Sequence, residues 1–129
     1  MDAPESCLAL VILLDQFPRN MFRGTGRAFA ADALARAAAQ TIVGRGWDRK
    51  MSTDERSFAY LPFEHSESLA DQQRCCELMR PLGGETYRYA LRHREIIARF
   101  GRFPHRNAAL GRDSTPEEIE FLKTPGSGF

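Results

Sequence analysis

Apolar residues recur along this chain at helical spacing, and nowhere do they alternate in twos over a sustained stretch. A half-buried strand needs that alternation, whereas an amphipathic helix needs apolar residues three and four apart. The pattern predicts an all-α fold of about six helices. Proline, glycine and capping residues mark their ends. The first helix is expected over 4–17, stopped by Pro18. Its apolar run from Cys7 to Leu14 goes all the way round, which predicts burial on every side. The second, over 27–43, carries a stripe of Ala31, Leu34, Ala35, Ala38 and Ile42, with Asp32 and Arg36 spaced as an ion pair. Ser52 and Glu55 form a capping box for the third, which Pro62 bends or ends. Ser66 or Ser68 caps the fourth, which runs through Met79. The fifth spans 85–100. Thr115-Pro116-Glu117-Glu118 opens the sixth. Short connections make sequential neighbours antiparallel, as helical hairpins. Residues 1–123 are read as one domain and 124–129, with its glycines and proline, as a loose tail.

Charge excludes several classes of function. With 18 basic and 17 acidic residues in 129, the chain lacks the basic excess of a nucleic-acid or membrane-surface binder. Its longest apolar run has eight residues, too few to span a bilayer. Asp2 and Glu5 precede that run, where a signal peptide needs basic residues. Three cysteines, Cys7, Cys75 and Cys76, form neither a disulfide framework nor a zinc set. The protein is read as cytoplasmic, without metal or cofactor.

One phrase occurs twice, and each copy follows a helical segment. The first is Gln16-Phe17-Pro18-Arg19-Asn20 and the second Arg102-Phe103-Pro104-His105-Arg106-Asn107. As structure, the phenylalanine packs, the proline ends a helix and the arginine ties down helix-end carbonyls. As function, Arg19, Arg23, Arg102 and Arg106 would surround an anion, with Asn20 and Asn107 at the turns. The fifth helix adds a sharper inference. Arg88, Arg92, Glu95 and Arg99 make one wet stripe. At ~100° per residue, His93 and Arg94 then flank the opposite, inward face. A buried arginine needs an acidic partner. Asp15, set directly after the apolar run, is the natural candidate to meet Arg94, Arg19 or Arg106. Glu64-His65-Ser66-Glu67 is a dense polar cluster that reads as a capped turn. It lacks the HExxH pattern and the Glu-x-x-His pairs of di-iron bundles. Only His93 or His105 brought alongside would give it metal-ligand geometry.

These residues together resemble a bacterial family known as domain of unknown function 924, described as similar to tetratricopeptide repeats. The stretches that carry the resemblance are 14–20, 24–32, 62–67 with 70–72, 93–107 and 111 with 114–118. The resemblance implies a tetratricopeptide-like α-α superhelix and no established activity. Family members carry some further chain upstream, so this chain is read as lacking an N-terminal segment. No clean copy of a 34-residue repeat pattern is present. The functional expectation is a helical binding domain. Its polar pocket would join Asp15, Arg19, His65, His93, Arg94, His105 and Arg106, for a small anion or an acidic peptide. The rival is an enzyme with His65 or His93 as general acid or base, oriented by Glu64 or Asp15. The third reading is a structural module that forms a homodimer.

Overall fold

The structure, a computed structural model, describes residues 3–21 and 25–128. Every regular element among the described residues is helical. The chain begins with α1, Pro4–Val11, a π-helical turn at Ile12–Gln16, and α2, Phe17–Met21, in one unbroken run. Pro18 therefore does not stop the helix, contrary to the sequence expectation. A proline inside an α-helix lacks the N–H for the bond four residues back, and its ring crowds the carbonyl there. That carbonyl belongs to Leu14, inside the π turn. The wider π geometry relieves the crowding, as single π turns do within α-helices.

Burial of this run is also one-sided rather than all-round. Cys7 and Val11 face the core, while Leu13 and Phe17 stay 54% and 55% exposed. The run lies at the edge of the array, packed on α3 and the end of α4. Among the described residues its neighbours lie on one side, and half of its apolar residues are left outside.

A 3₁₀ turn at Gly26–Phe29 precedes α3, Asp32–Gly44, so the second helix starts later than its pattern suggested. Gly26 explains the irregular entry. A Cβ there would stand 3.2 Å from the Ala109 carbonyl oxygen, so the turn is held against the distant 104–110 loop. Next come α4, Thr53–Glu64, and α5, Leu69–Met79. Ser52 and Glu55 form the capping box of α4, and Ser68 caps α5. Pro62 lies inside α4 without ending it. The long α6, Gly84–Phe100, closes at Gly101 with φ of 71°, a conformation that suits glycine. The last element, α7, Pro116–Leu122, is capped by Thr115 and Glu118.

Each helix packs mainly on its sequence neighbour: α3 on α4, α4 on α5, α5 on α6, with α1 on α3. Ala38 and Ala39 of α3 are fully buried in a core that they share with Cys7 and Val11 of α1 and with Ile42, Met79 and Phe63. A second, smaller core joins Ile96 and Ile97 of α6 to Phe103, with Phe100 and Phe121 against it. Between these two cores lies the junction of the π turn, the end of α4 and the middle of α6.

Candidate functional site

The π turn places Asp15 inward, with 1% of its surface exposed. Its Oδ1 lies 2.9 Å from Nδ1 of His65, the residue that closes α4. Arg19 Nη1 reaches the same oxygen at 3.3 Å, and Gln16 Nε2 donates to Oδ2 at 2.6 Å. Burial works against the charge of Asp15, but His65 and Arg19 together hold its carboxyl below the usual range. Burial lowers the basicity of His65 more than Asp15 restores it. The pair is therefore a carboxylate accepting from a neutral imidazole. The proton sits on Nδ1, and Nε2 carries a bare lone pair.

His93 is oriented in the same sense by another partner. It is 4% exposed, and its Nδ1 donates to the Tyr89 carbonyl at 2.7 Å, one turn back on α6. A carbonyl only accepts, so the His93 proton sits on Nδ1, as in His65. Burial drives its pKa down to about 3. Phe103 packs edge-on against the ring at 5.6 Å, fixing its tilt. The rings of His65 and His93 stand 6.1 Å apart.

Glu64 completes the group. It is the last residue of α4 and 5% exposed. No hydrogen bond or ion pair holds its carboxyl among the described residues. Burial first, and the charge of Asp15 second, raise its pKa to about 7. One ligand atom from each of Glu64, His65 and His93 lies within 4.8 Å of the others. A cavity of about 400 Å³ opens onto all three, walled by Tyr89, Arg92, Gly126 and Gly128. Arg92 donates to the Gly126 carbonyl at 3.0 Å, so the tail segment forms one wall. A somewhat larger cavity, about 470 Å³, lies beside Leu8, Trp47 and Met51 and contains no histidine.

Chemically, the trio brings two neutral imidazoles and one largely buried carboxyl to a single cavity. Such a set accepts protons or holds a cation. His93, not His105, is the residue brought alongside the Glu64-His65 pair.

The other expected residues fall elsewhere. Arg19 and Arg106 converge on Asp32, at the start of α3. Arg19 makes a bidentate pair at 2.8 and 2.9 Å, and Arg106 stands 3.9 Å away. Both guanidiniums also lie over the Phe29 ring, at 5.4 and 4.5 Å. The two copies of the repeated phrase thus meet at one carboxylate. Arg106 further donates to the His65 carbonyl at 2.9 Å, bracing the end of α4. Asp32 is spent on this junction, and Arg36 has Asp71 as its acidic neighbour at 4.0 Å instead.

Arg102 grips both oxygens of Glu118, at 2.8 and 2.7 Å. Asn107 is buried between Ser114 and Arg112. His105 packs on Phe103, and burial lowers its pKa to about 4. Arg94 is half-buried on α6 and lies outside the Asp15 cluster, whose partners are Arg19, His65 and Gln16. Arg23 lies outside the described residues, and Asn20 is described only as part of the α2 backbone.

Sequence reading did not foresee that Asp32 would pair with Arg19, Glu118 with Arg102, or Glu67 with Arg112. Arg112 pairs with Glu67 at 2.8 and 3.0 Å, and Glu67 also accepts from the Phe103 amide at 2.6 Å. The only signal was an arginine count that needed matching carboxylates. Which carboxylate met which arginine depended on the chain path.

The sequence profile of a bacterial protein family of unknown function, DUF924, matches residues 1–126, and the chain belongs to that family. The solved structure of a protein of unknown function from Agrobacterium tumefaciens is similar to this chain. The two are 54% identical and superpose with a TM-score of 0.91, over 95% of this chain and 69% of that one. No curated protein matches the chain.

Proposed function

We propose that the cavity at the end of α4 is the working site of this family member, where a small polar molecule binds and exchanges a proton. His65 Nε2 is the acceptor, Asp15 orients its ring, and His93 and Glu64 hold the polar groups of the bound molecule. One observation carries this reading: the 2.9 Å contact between Asp15 Oδ1 and His65 Nδ1, made by a carboxylate that is 1% exposed. A buried carboxylate on the far nitrogen of a histidine fixes its tautomer and stabilises the imidazolium formed when the near nitrogen takes a proton. This is the enzyme reading of the sequence, and it displaces the anion pocket for a physical reason. Arg19, Arg102, Arg106 and Arg112 have carboxylate neighbours on Asp32, Glu118 and Glu67. A guanidinium so neutralised offers little charge to an incoming anion.

The frame we assign to this site is a tetratricopeptide-like α-α array, cytoplasmic in setting. No helix among the described residues is long and apolar enough to cross a membrane.

The test is a thermal-shift screen of small carboxylates, amides, phosphate esters and nucleosides against wild type, His65→Gln and Arg94→Met. A molecule that stabilises wild type and Arg94→Met but not His65→Gln supports the site. Compounds that stabilise all three proteins equally would rule it out.

A further inference from the structure

We infer that Glu64, His65 and His93 form a binding site for a divalent transition-metal ion of the zinc class. The inference rests on reading this cavity as the working site and names the cation it would hold; with the ion bound, His65 Nε2 would be a ligand, and water at the open coordination position would take over the proton exchange assigned to His65.

Three independent features support it. First, the donor set is right in kind and number. Two imidazoles and one carboxylate make a three-ligand zinc site that leaves a coordination position open. That position would face the cavity, where a small polar ligand can enter. Second, the outer shell is already built. Metal-binding histidines donate their remote N–H to a carboxylate or a backbone carbonyl, which fixes the tautomer and aims the other nitrogen. His65 does this to Asp15 at 2.9 Å and His93 to the Tyr89 carbonyl at 2.7 Å. Two histidines in one cavity are thus anchored through Nδ1 by different elements. Third, Glu64 is 95% removed from solvent by its 5% exposure, and no described residue bonds its carboxyl. A buried carboxylate with no partner is costly. A cation between the two imidazoles supplies that partner.

The spacing fits with a small closure. The three ligand atoms lie within 4.8 Å of one another. A tetrahedral ion with bonds of about 2.0–2.1 Å draws its ligands closer than that. Glu64 and His65 sit at the end of α4, where χ rotations suffice, while His93 is fixed inside α6. Binding an ion would thus draw Glu64 and His65 toward His93.

The experiment uses tag-free full-length protein treated with a chelator and then titrated with Zn²⁺ by calorimetry. A parallel titration with Co²⁺ is read by visible absorption. Wild type is expected to take one equivalent of either ion, with intense ligand-field bands of a four- or five-coordinate cobalt centre. Glu64→Gln and His93→Gln should each abolish those bands. Asp15→Asn should weaken binding about 10–100-fold while keeping the stoichiometry, as loss of an outer-shell partner does.

Circular dichroism confirms that each variant is folded. If one is not, the thermal stabilisation of wild type by Zn²⁺, set against that of folded His105→Gln, provides the reading. Equal shifts are expected there, because His105 lies outside the site. Absence of an equivalent of bound metal in wild type, or undiminished binding in Glu64→Gln and His93→Gln, would overturn the metal site. Either result leaves the working-site reading to its own screen. Conversely, metal binding at these residues with screen hits indifferent to His65→Gln would keep the metal and remove the proton-transfer role.

Discussion

Asp15 shows how a single side chain can be costly to bury and still be retained. It is surrounded by His65, Arg19 and Gln16, so its charge is spread over several donors. Asp15→Asn removes that charge and replaces one acceptor oxygen with a donor. The tautomer of His65 should then become mixed, seen as a shift of its ring ¹⁵N resonances. Stability should fall by about 1.5–3 kcal/mol, the range for hydrogen bonds to charged groups, measured by urea unfolding. Glu118 gives a pH signature. Arg102 first, and the Thr115 amide with it, hold its pKa at about 2, against an ordinary 4.5. A carboxylate with a depressed folded pKa stabilises fully above its unfolded value and loses that stabilisation as pH falls toward the folded one. The acid limb between pH 4.5 and about 2 should therefore flatten in Glu118→Gln, followed by thermal melts across that window. An unchanged limb would exclude Glu118 as its source.

At the scale of elements, the π turn is the unexpected one. It exists where Pro18 follows a continuous helix, and it aims Asp15 at the end of α4. Pro18→Ala restores the missing N–H and removes the ring, so 12–21 should relax toward a regular α-helix. That relaxation turns Asp15 relative to His65. The expected outcome is a more helical circular dichroism spectrum together with weaker fixation of the His65 tautomer. If the His65 resonances stay as in wild type, the π turn does not set the dyad. The second Phe-Pro phrase behaves differently because Gly101 has already ended α6. Its Phe103 is fully buried, whereas Phe17 is 55% exposed. Similar words in the sequence therefore serve unlike local structures, and what they share is a pair of arginines directed at Asp32.

For the whole molecule, the spacing between helices decides whether the junction forms. Ala38 is fully buried on α3, the helix that packs against α1 and the π turn. Ala38→Leu should push the π turn outward and destabilise the fold by about 1–3 kcal/mol, the cost of overpacking. A lowered urea midpoint with an unchanged slope would show this. The same displacement should disturb the His65 resonances, because Asp15 travels with α1. A surface leucine such as Leu34, 63% exposed, serves as the control, since Leu34→Ala should change neither.

Much of this protein is determined by local chemistry that the sequence states openly. Helical periodicity selects the all-α class, and Ser52, Thr115 and Gly101 fix helix ends by hydrogen bonds or backbone conformations that need no distant partner. His93 and the wet stripe of Arg88, Arg92, Glu95 and Arg99 follow from 3.6-residue geometry alone. Three things needed the tertiary structure. The one-sided burial of α1 depends on how many neighbours that helix has, which no residue in it records. The continuation through Pro18 depends on the π turn and the packing that supports it. The meeting of Asp15, His65 and His93 joins three distant points of the chain, and the arginine pairs on Asp32, Glu67 and Glu118 are chosen likewise. Charge complementarity between far-apart residues is many-to-many in a sequence with 18 basic and 17 acidic groups. Only the chain path through space selects one pairing, and with it leaves Glu64 as the carboxylate facing two histidines.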